Sequence, residues 1–251
     1  MKLVKNAIIL IYRLWFYLLV VIPIFGMLPL LLISVARKSW YPMFYRLAQF
    51  WARFILYGSG FWPQVHRMQH TIKGKGYMYI ANHTSIIDIM LMLHCVRQPF
   101  VFVGKQELAR FPLFGFLYKR TCILVDRKDL KSRRAVFENA QKKLELGYGI
   151  CIFPEGRVPD DYDLLIDDFK DGAFRLAIDH HLPIVPLVFY DNKKRFSYKF
   201  EHASPGKLRA KVLPFVKTEN LNADNRRELR DHCFSIIKKE LEEERNTGKH
   251  I

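Results

Sequence analysis

The chain of 251 residues is short of acid: 24 Asp and Glu stand against 40 Lys and Arg, a formal net charge of +16 at pH 7. That excess is more than solubility needs and points to an anionic partner, such as lipid headgroups, a phosphorylated substrate or nucleic acid. Cysteine is sparse too. Cys95, Cys122, Cys151 and Cys233 are scattered, with no C-x-x-C pair. The spacing offers no structural zinc site and suits buried free thiols in a reducing compartment. There is no G-x-S-x-G nucleophile elbow, which disfavours a hydrolase of that kind. There is no Walker A or G-x-G-x-x-G loop, which disfavours a nucleotide enzyme. No recognised nucleic-acid motif accompanies the basic charge, so nucleic acid is set aside as a partner. Internal repeats and low-complexity linkers are also missing.

One stretch lacks charge altogether. Residues 14–36 carry no Asp, Glu, Lys or Arg and are long enough to cross a bilayer if helical. Pro23 and Pro29 are expected to interrupt helical hydrogen bonding, with Gly26 between them. Basic residues flank both ends, so orientation is not set by the positive-inside rule. A cleaved signal peptide is the competing reading, with Ser34-Val35-Ala36 as a faint cleavage site, but the apolar region is longer than a signal peptide's. Residues 38–62 interleave Trp40, Phe44, Phe50, Trp51 and Phe54 with Lys38, Arg46 and Arg53. Such a pattern suits a membrane interface, or else a core helix. Residues 1–62 are therefore read as a membrane-associating helical segment, spanning once or lying as a broken hairpin in one leaflet. Residues 63–251 are read as an α/β domain.

In that second part short apolar runs alternate with helical stretches. Candidate strands are Gln64–Met68, Tyr77–Ala81, Phe100–Val103, Cys122–Val125, Ile150–Phe153, Ile184–Phe189, Phe196–Phe200 and Leu208–Phe215. Candidate helices are Ser85–Cys95, Ser132–Leu146, Gly172–Asp179 and a C-terminal helix over 225–244, opened by an Asn225/Glu228 capping box. The alternation predicts an α/β fold with a mostly parallel or mixed sheet covered by helices.

The stretch around which the chain is organised is Asn82-His83-Thr84-Ser85-Ile86-Ile87-Asp88, where a strand ends and a helix begins. Strand-to-helix turns of α/β folds commonly carry ligand sites. Five helical residues rotate by roughly 140°, so His83 and Asp88 meet only if His83 stays outside the first turn and Asp88 reaches back. A carboxylate on one imidazole nitrogen fixes the tautomer and raises the basicity of the other, which can then take a proton from a hydroxyl. The bland alternative is a helix-start histidine with an incidental aspartate. Three further stretches follow. Gly104-Lys105 to Gly115 places a cation after a strand. Phe153-Pro154-Glu155-Gly156-Arg157 combines a glycine, which lets backbone approach a ligand, with an arginine suited to phosphate oxygens. The last is Leu182-Pro183-Ile184-Val185-Pro186-Leu187, an apolar strand distorted or edged by its prolines.

In this order the four stretches resemble the lysophosphatidic acid acyltransferase (1-acylglycerol-3-phosphate acyltransferase) family, over roughly residues 65–220. The family carries H-x-x-x-x-D, a block with a basic residue and a P-x-x-G-like end, a P-E-G block and an apolar proline-bearing strand. The resemblance implies that His83 is the base acting on the sn-2 hydroxyl of lysophosphatidic acid. It implies that Asp88 orients His83, that Lys105 and Arg157 bind the phosphate, that Glu155 helps hold the glycerol end, and that Gly156 is among the substrate-binding residues. It implies acyl-CoA or acyl-carrier protein as donor substrate, no cofactor, no metal and phosphatidic acid as product. The enzyme would sit at a membrane with its site facing the cytoplasm. One departure stands out: the family usually has Glu-Gly-Thr-Arg, whereas here Arg157 follows Gly156 directly, and an acidic insertion runs from Asp160 to Asp168. Arg127 and Lys170 are alternative phosphate ligands. A sister acyltransferase with another lyso-lipid or glycerol 3-phosphate as acceptor, and a non-catalytic lipid-binding protein, are the competing readings of the whole.

Overall fold

The computed structural model describes residues 2–112, 114–126, 129–161 and 163–247. In chain order the elements are α1 (Lys2–Gly26), α2 (Leu28–Ala36), α3 (Tyr41–Gly58), β1 (Phe61–Arg67), β2 (Met78–Ala81), α4 (Ile87–Cys95), β3 (Phe100–Lys105), α5 (Phe114–Thr121), β4 (Ile123–Val125), α6 (Leu130–Leu144), β5 (Gly149–Ile152), α7 (Gly172–Asp179), β6 (Ile184–Phe189), α8 (Asn192–Arg195), β7 (Gly206–Val212) and α9 (Arg226–Asn246). This is the α/β class expected from the alternation of apolar runs, with seven strands among flanking helices. Two compact units divide the chain, and they interleave along the sequence.

One unit comprises Arg67–His83, Gln98–Val188 and Val212–Ile251. Its strands run in the order β6-β2-β5-β3-β4, each pairing parallel with its neighbour. Every residue of β2 and of β6 is buried. Continuous apolar runs, rather than alternating ones, are what a parallel sheet covered on both faces requires. Register sets Ile80 of β2 between Ile152 of β5 and Pro186 of β6. The carboxyl ends of β2, β5 and β3 therefore emerge side by side at one end of the sheet, where open α/β sheets hold their ligands.

The other unit comprises Met1–His66, Thr84–Arg97 and Phe189–Lys211. Here α3 packs against α1, α2 and α4, and β1 and β7 lie side by side. Ile55 and Leu56 of α3 are fully buried, while Gln49 donates to the carbonyls of Leu93 and Val96 at the end of α4. Helix α1 is long and apolar enough to cross a membrane, yet it is not a free stalk. Phe16 is fully buried and packs on Phe196 with ring centroids 4.1 Å apart. Tyr12 donates to the Ser59 carbonyl, Trp15 to that of Gly58, and Trp51 of α3 returns a bond to Val20. The remaining faces of α1 expose Leu3, Ile8, Ile11, Leu14, Ile22 and Phe25.

Four local expectations are corrected. The helix breaks at Met27 rather than at Pro23. Pro23 is accommodated within α1, and Pro29 lies in the first turn of α2, where its missing N–H costs nothing. Phe196–Phe200 is not a strand; only an isolated bridge links Phe196 to Ala203. Its carbonyls are taken instead by Arg13, whose guanidinium donates to Ser197 at 2.8 Å, to Phe200 at 3.0 Å, to His202 at 3.2 Å and to Lys199. Strand β7 stops at Val212 because Pro214 has no N–H to continue a ladder. The capping box is Asn222 with Asn225, not Asn225 with Glu228. The Asn225 side chain turns back to the Asn222 N–H and is not available to α9.

Arg13 thus makes four charge-assisted bonds to carbonyls that belong to no strand ladder, and it stacks on Phe196 and Phe200. Arg13→Ala is expected to destabilise the protein by about 2 kcal/mol, less than the sum of four such bonds because the site is partly open to solvent. A thermal melt in detergent should show the midpoint lower by about 4 °C or more.

Candidate active site

His83 lies two residues beyond the end of β2 and is half-buried. Glu155 lies three residues beyond the end of the neighbouring strand β5 and is buried at 1% exposure. Because the two strands are adjacent and parallel, their following loops meet. The His83 peptide N–H donates to Glu155 Oε1 at 2.5 Å. Glu155 Oε2 accepts the Asp167 N–H at 2.9 Å, so one buried carboxylate ties the histidine loop to the acidic insertion. Gly156 makes this geometry possible: its φ is +82° and its N–H returns to the Phe153 carbonyl at 3.0 Å. That positive φ favours glycine.

The imidazole of His83 stacks on Phe153, with centroids 4.2 Å apart and planes 16° from parallel. Phe102 of β3 continues the stack on the far side, 6.3 Å from Phe153. Three neighbouring strands thus supply three layered rings that fix the plane of the imidazole. Phe153 opens the P-E-G stretch, but nothing in its spacing marks it as a support for His83.

Asp88 sits in the first turn of α4 at 0% exposure. Its Oδ2 accepts the N–H of Thr84 at 2.6 Å and of Ser85 at 2.8 Å. Its Oδ1 accepts Asn192 Nδ2 at 2.6 Å. A buried charge is tolerable only with such donors. The carboxylate reaches back from inside the helix while His83 stays outside it, and α4 begins at Ile87 rather than Ser85 because the preceding peptides bond to Asp88. The N–H groups of Thr84 and Ser85 are therefore committed to that carboxylate. Three consecutive peptides, 83 to 85, are each held by a carboxylate.

Lys105 ends β3, next to β5, and lies 3.8 Å from Glu107. Arg157 follows Gly156 and pairs with Asp160 of the insertion at 2.9 Å. Both cations are largely exposed, so these pairs contribute little to stability and leave the side chains free to exchange partners. Lys170 is exposed, with its peptide N–H on the Pro154 carbonyl. Arg127 lies outside the described residues. Burial pushes the thiols of Cys122 and Cys233 up to about 12 and that of Cys151 upward as well. These cysteines are thiols, not nucleophiles, near neutral pH. Among the described residues no cluster of His, Cys, Asp and Glu is arranged to hold a metal ion.

The arrangement provides an oriented imidazole, a buried carboxylate close by in sequence, and cations on neighbouring strand ends. It can remove a proton from a hydroxyl near an anionic group. Comparison with known proteins agrees in kind. A model of the acyltransferase family matches residues 63–190. The 1-acyl-sn-glycerol-3-phosphate acyltransferase of Escherichia coli (strain K12) is 32% identical over 168 residues, covering 66% of this chain and 67% of that protein. The corresponding alpha enzyme of Mus musculus is 31% identical over 196 residues, 74% of this chain and 66% of that protein. The crystal structure of the 1-acyl-sn-glycerophosphate (LPA) acyltransferase PlsC of Thermotoga maritima superposes over 97% of both chains with a TM-score of 0.75 at 20% identity, and so shares the fold. The chain belongs to the acyltransferase family of which these 1-acyl-sn-glycerol-3-phosphate acyltransferases are members.

Proposed function

We propose that this acyltransferase moves a fatty acyl chain from a thioester donor, acyl-CoA or acyl-carrier protein, to the sn-2 hydroxyl of lysophosphatidic acid, forming phosphatidic acid. The observation that carries this reading is His83 at the carboxyl end of β2, its peptide tied to Glu155 and its ring stacked on Phe153, with Asp88 five residues on. The relatives' named acceptor supports the choice of lysophosphatidic acid.

In this mechanism the free imidazole nitrogen of His83 takes the hydroxyl proton as the oxygen attacks the thioester carbonyl. Asp88 orients the ring and stabilises the imidazolium. The tetrahedral intermediate collapses, the C–S bond breaks, and the departing thiolate takes the proton from His83. The oxygen of the acceptor thereby gains the acyl group, the donor leaves as a thiol, and the histidine is restored. No covalent acyl-enzyme and no cofactor enter. Glu155 acts here by fixing the His83 peptide, with Gly156 shaping the turn. Lys105 and Arg157 hold the phosphate through charge-assisted bonds.

A phosphate role for Lys105 has a sharp test. Lys105→Ala should raise KM for lysophosphatidic acid about tenfold, the loss of one charge-assisted bond, and leave a neutral monoacylglycerol acceptor unaffected. Equal losses on both acceptors would remove Lys105 from phosphate recognition. One observation favours a second reading, a lyso-lipid with a different headgroup: Arg157 is paired with Asp160 rather than preceded by the usual threonine. The same two acceptors, with a lysophospholipid as a third, decide between them.

Both acyl acceptor and product are lipids, and the exposed apolar faces of α1, α2 and α3 suit insertion into a bilayer, with the net positive charge attracting anionic headgroups. With a thioester donor of this kind, the site is proposed to face the cytoplasm. Accessibility labelling that found residue 83 on the opposite side would overturn that orientation.

A further inference from the structure

We infer that Asn192 is a positioning residue of the active site, acting on His83 through Asp88. This rests on the reading of His83 and Asp88 as the base and its orienting carboxylate. Asn192 opens α8, is fully buried, and directs Nδ2 at Asp88 Oδ1 at 2.6 Å. The contact joins two buried side chains 104 positions apart in sequence. Its orientation is dictated: the opposite flip would set Asn192 Oδ1 against the carboxylate. As placed, Oδ1 is a buried acceptor with no partner. A buried amide with an unmet acceptor is a poor choice for stability alone, since unsatisfied polar atoms cost free energy. It is intelligible if the donor is what the site requires.

The residues around Asn192 hold it still. Asp191, next in the chain, accepts the Arg209 N–H and side chain at 2.8, 2.9 and 2.7 Å, which locks the approach to α8. At its far end the Phe196 carbonyl accepts Ser85 Oγ. The segment 191–196 is thus fastened twice to the turn that carries Asp88. With Thr84 and Ser85 N–H groups on Oδ2, the Asn192 amide on Oδ1 sets the rotation of the carboxylate to which this reading gives the orienting role. Asp88 faces Asn192 directly; Asp191 and Arg209 pair with each other beside it, and Lys193, Lys194 and Arg195 follow it on α8.

The test measures kcat and KM from about pH 5.5 to about pH 9 for wild type, Asn192→Ala and Asn192→Asp, with His83→Ala beside them. Asn192→Ala should lower kcat about 10- to 100-fold at every pH, the scale of losing a partner that orients a histidine's ligand, with KM within about twofold. Asn192→Asp is isosteric. Protonated at acid pH, it donates O–H to Asp88 as the amide did; at alkaline pH two like charges oppose and the donor is gone. Its kcat relative to wild type should therefore fall as pH rises. A merely structural Asn192 would give a ratio that does not change with pH, and that result, or an Asn192→Ala kcat within about twofold of wild type, overturns the inference. If Asn192→Ala fails to fold, the pH course of Asn192→Asp decides alone. Activity retained in His83→Ala would sink the base assignment, and the positioning role with it. If wild type acylates none of the acceptors, the imidazole 15N resonances of His83 decide: a tautomer change in Asn192→Asp supports the role, and unchanged resonances reject it.

Discussion

His83→Ala should abolish acyl transfer, lowering kcat by about a thousandfold or more while KM for either substrate changes little. General-base catalysis by a positioned side chain is worth about 10² to 10⁴ in rate, and no other described group is placed to substitute. In the proposed mechanism the loss should fall on kcat, since there the imidazole acts on the hydroxyl proton as the transition state forms, whereas binding is assigned to Lys105 and Arg157 on neighbouring strand ends. Stability should be nearly unchanged. The peptide N–H bond from this position to Glu155 is kept by alanine, while the ring stack on Phe153 is lost. Steady-state kinetics and a thermal melt on the same preparation check both halves. A fold that survives while kcat collapses separates chemistry from structure.

Asp88 is expected to behave differently, and the contrast between two substitutions is informative. Asp88→Ala removes the acceptor of three N–H donors at a fully buried position. The orphaned donors should cost about 3–5 kcal/mol, the range for breaking a buried charged network, and activity should vanish. Asp88→Asn keeps the shape. Its oxygen can accept from the peptides of Thr84 and Ser85, and Asn192 can flip to offer its unpartnered Oδ1 to the new amide. Stability should then survive, but the negative charge that supports an imidazolium is gone, and kcat should fall by about 10³- to 10⁴-fold, as when an orienting aspartate is neutralised. Equal destabilisation by both substitutions would mean that charge matters to the fold; equal activity with wild type would mean that it does not matter to the chemistry.

The sequence discloses the central parallel strands because β2 and β6 are fully buried and β5 nearly so. A run such as Ile184–Phe189, bounded by Leu182-Pro183 and Tyr190-Asp191, has few alternatives to a core strand, and its observed limits match. His83 and Glu155 were legible as candidates because each follows such a run. Their meeting was not: it depends on β2 and β5 being neighbours, and strand order is a property of the sheet rather than of either segment. Phe196–Phe200 misleads for a related reason. Its aromatic pattern suits a strand, but a single arginine nearly two hundred residues away takes up its carbonyls. Asn192 carries no local signal either; among charged neighbours it looks like an ordinary surface turn, and only the buried Asp88 gives it meaning. The division of the molecule is equally non-local. Helix α1 shares a compact unit with α4, the helix that bears Asp88. The apolar N-terminus, readable as a membrane segment from composition, is thereby also part of the frame around the carboxylate.

The measurement that tests the central claim most directly is acyl transfer by the purified, detergent-solubilised protein. Lysophosphatidic acid is offered with labelled acyl-CoA and, separately, labelled acyl-carrier protein. The account predicts labelled phosphatidic acid with at least one donor. Folded protein that forms none with either donor would contradict it, and label appearing instead on a lysophospholipid would move the acceptor while leaving the His83 chemistry in place.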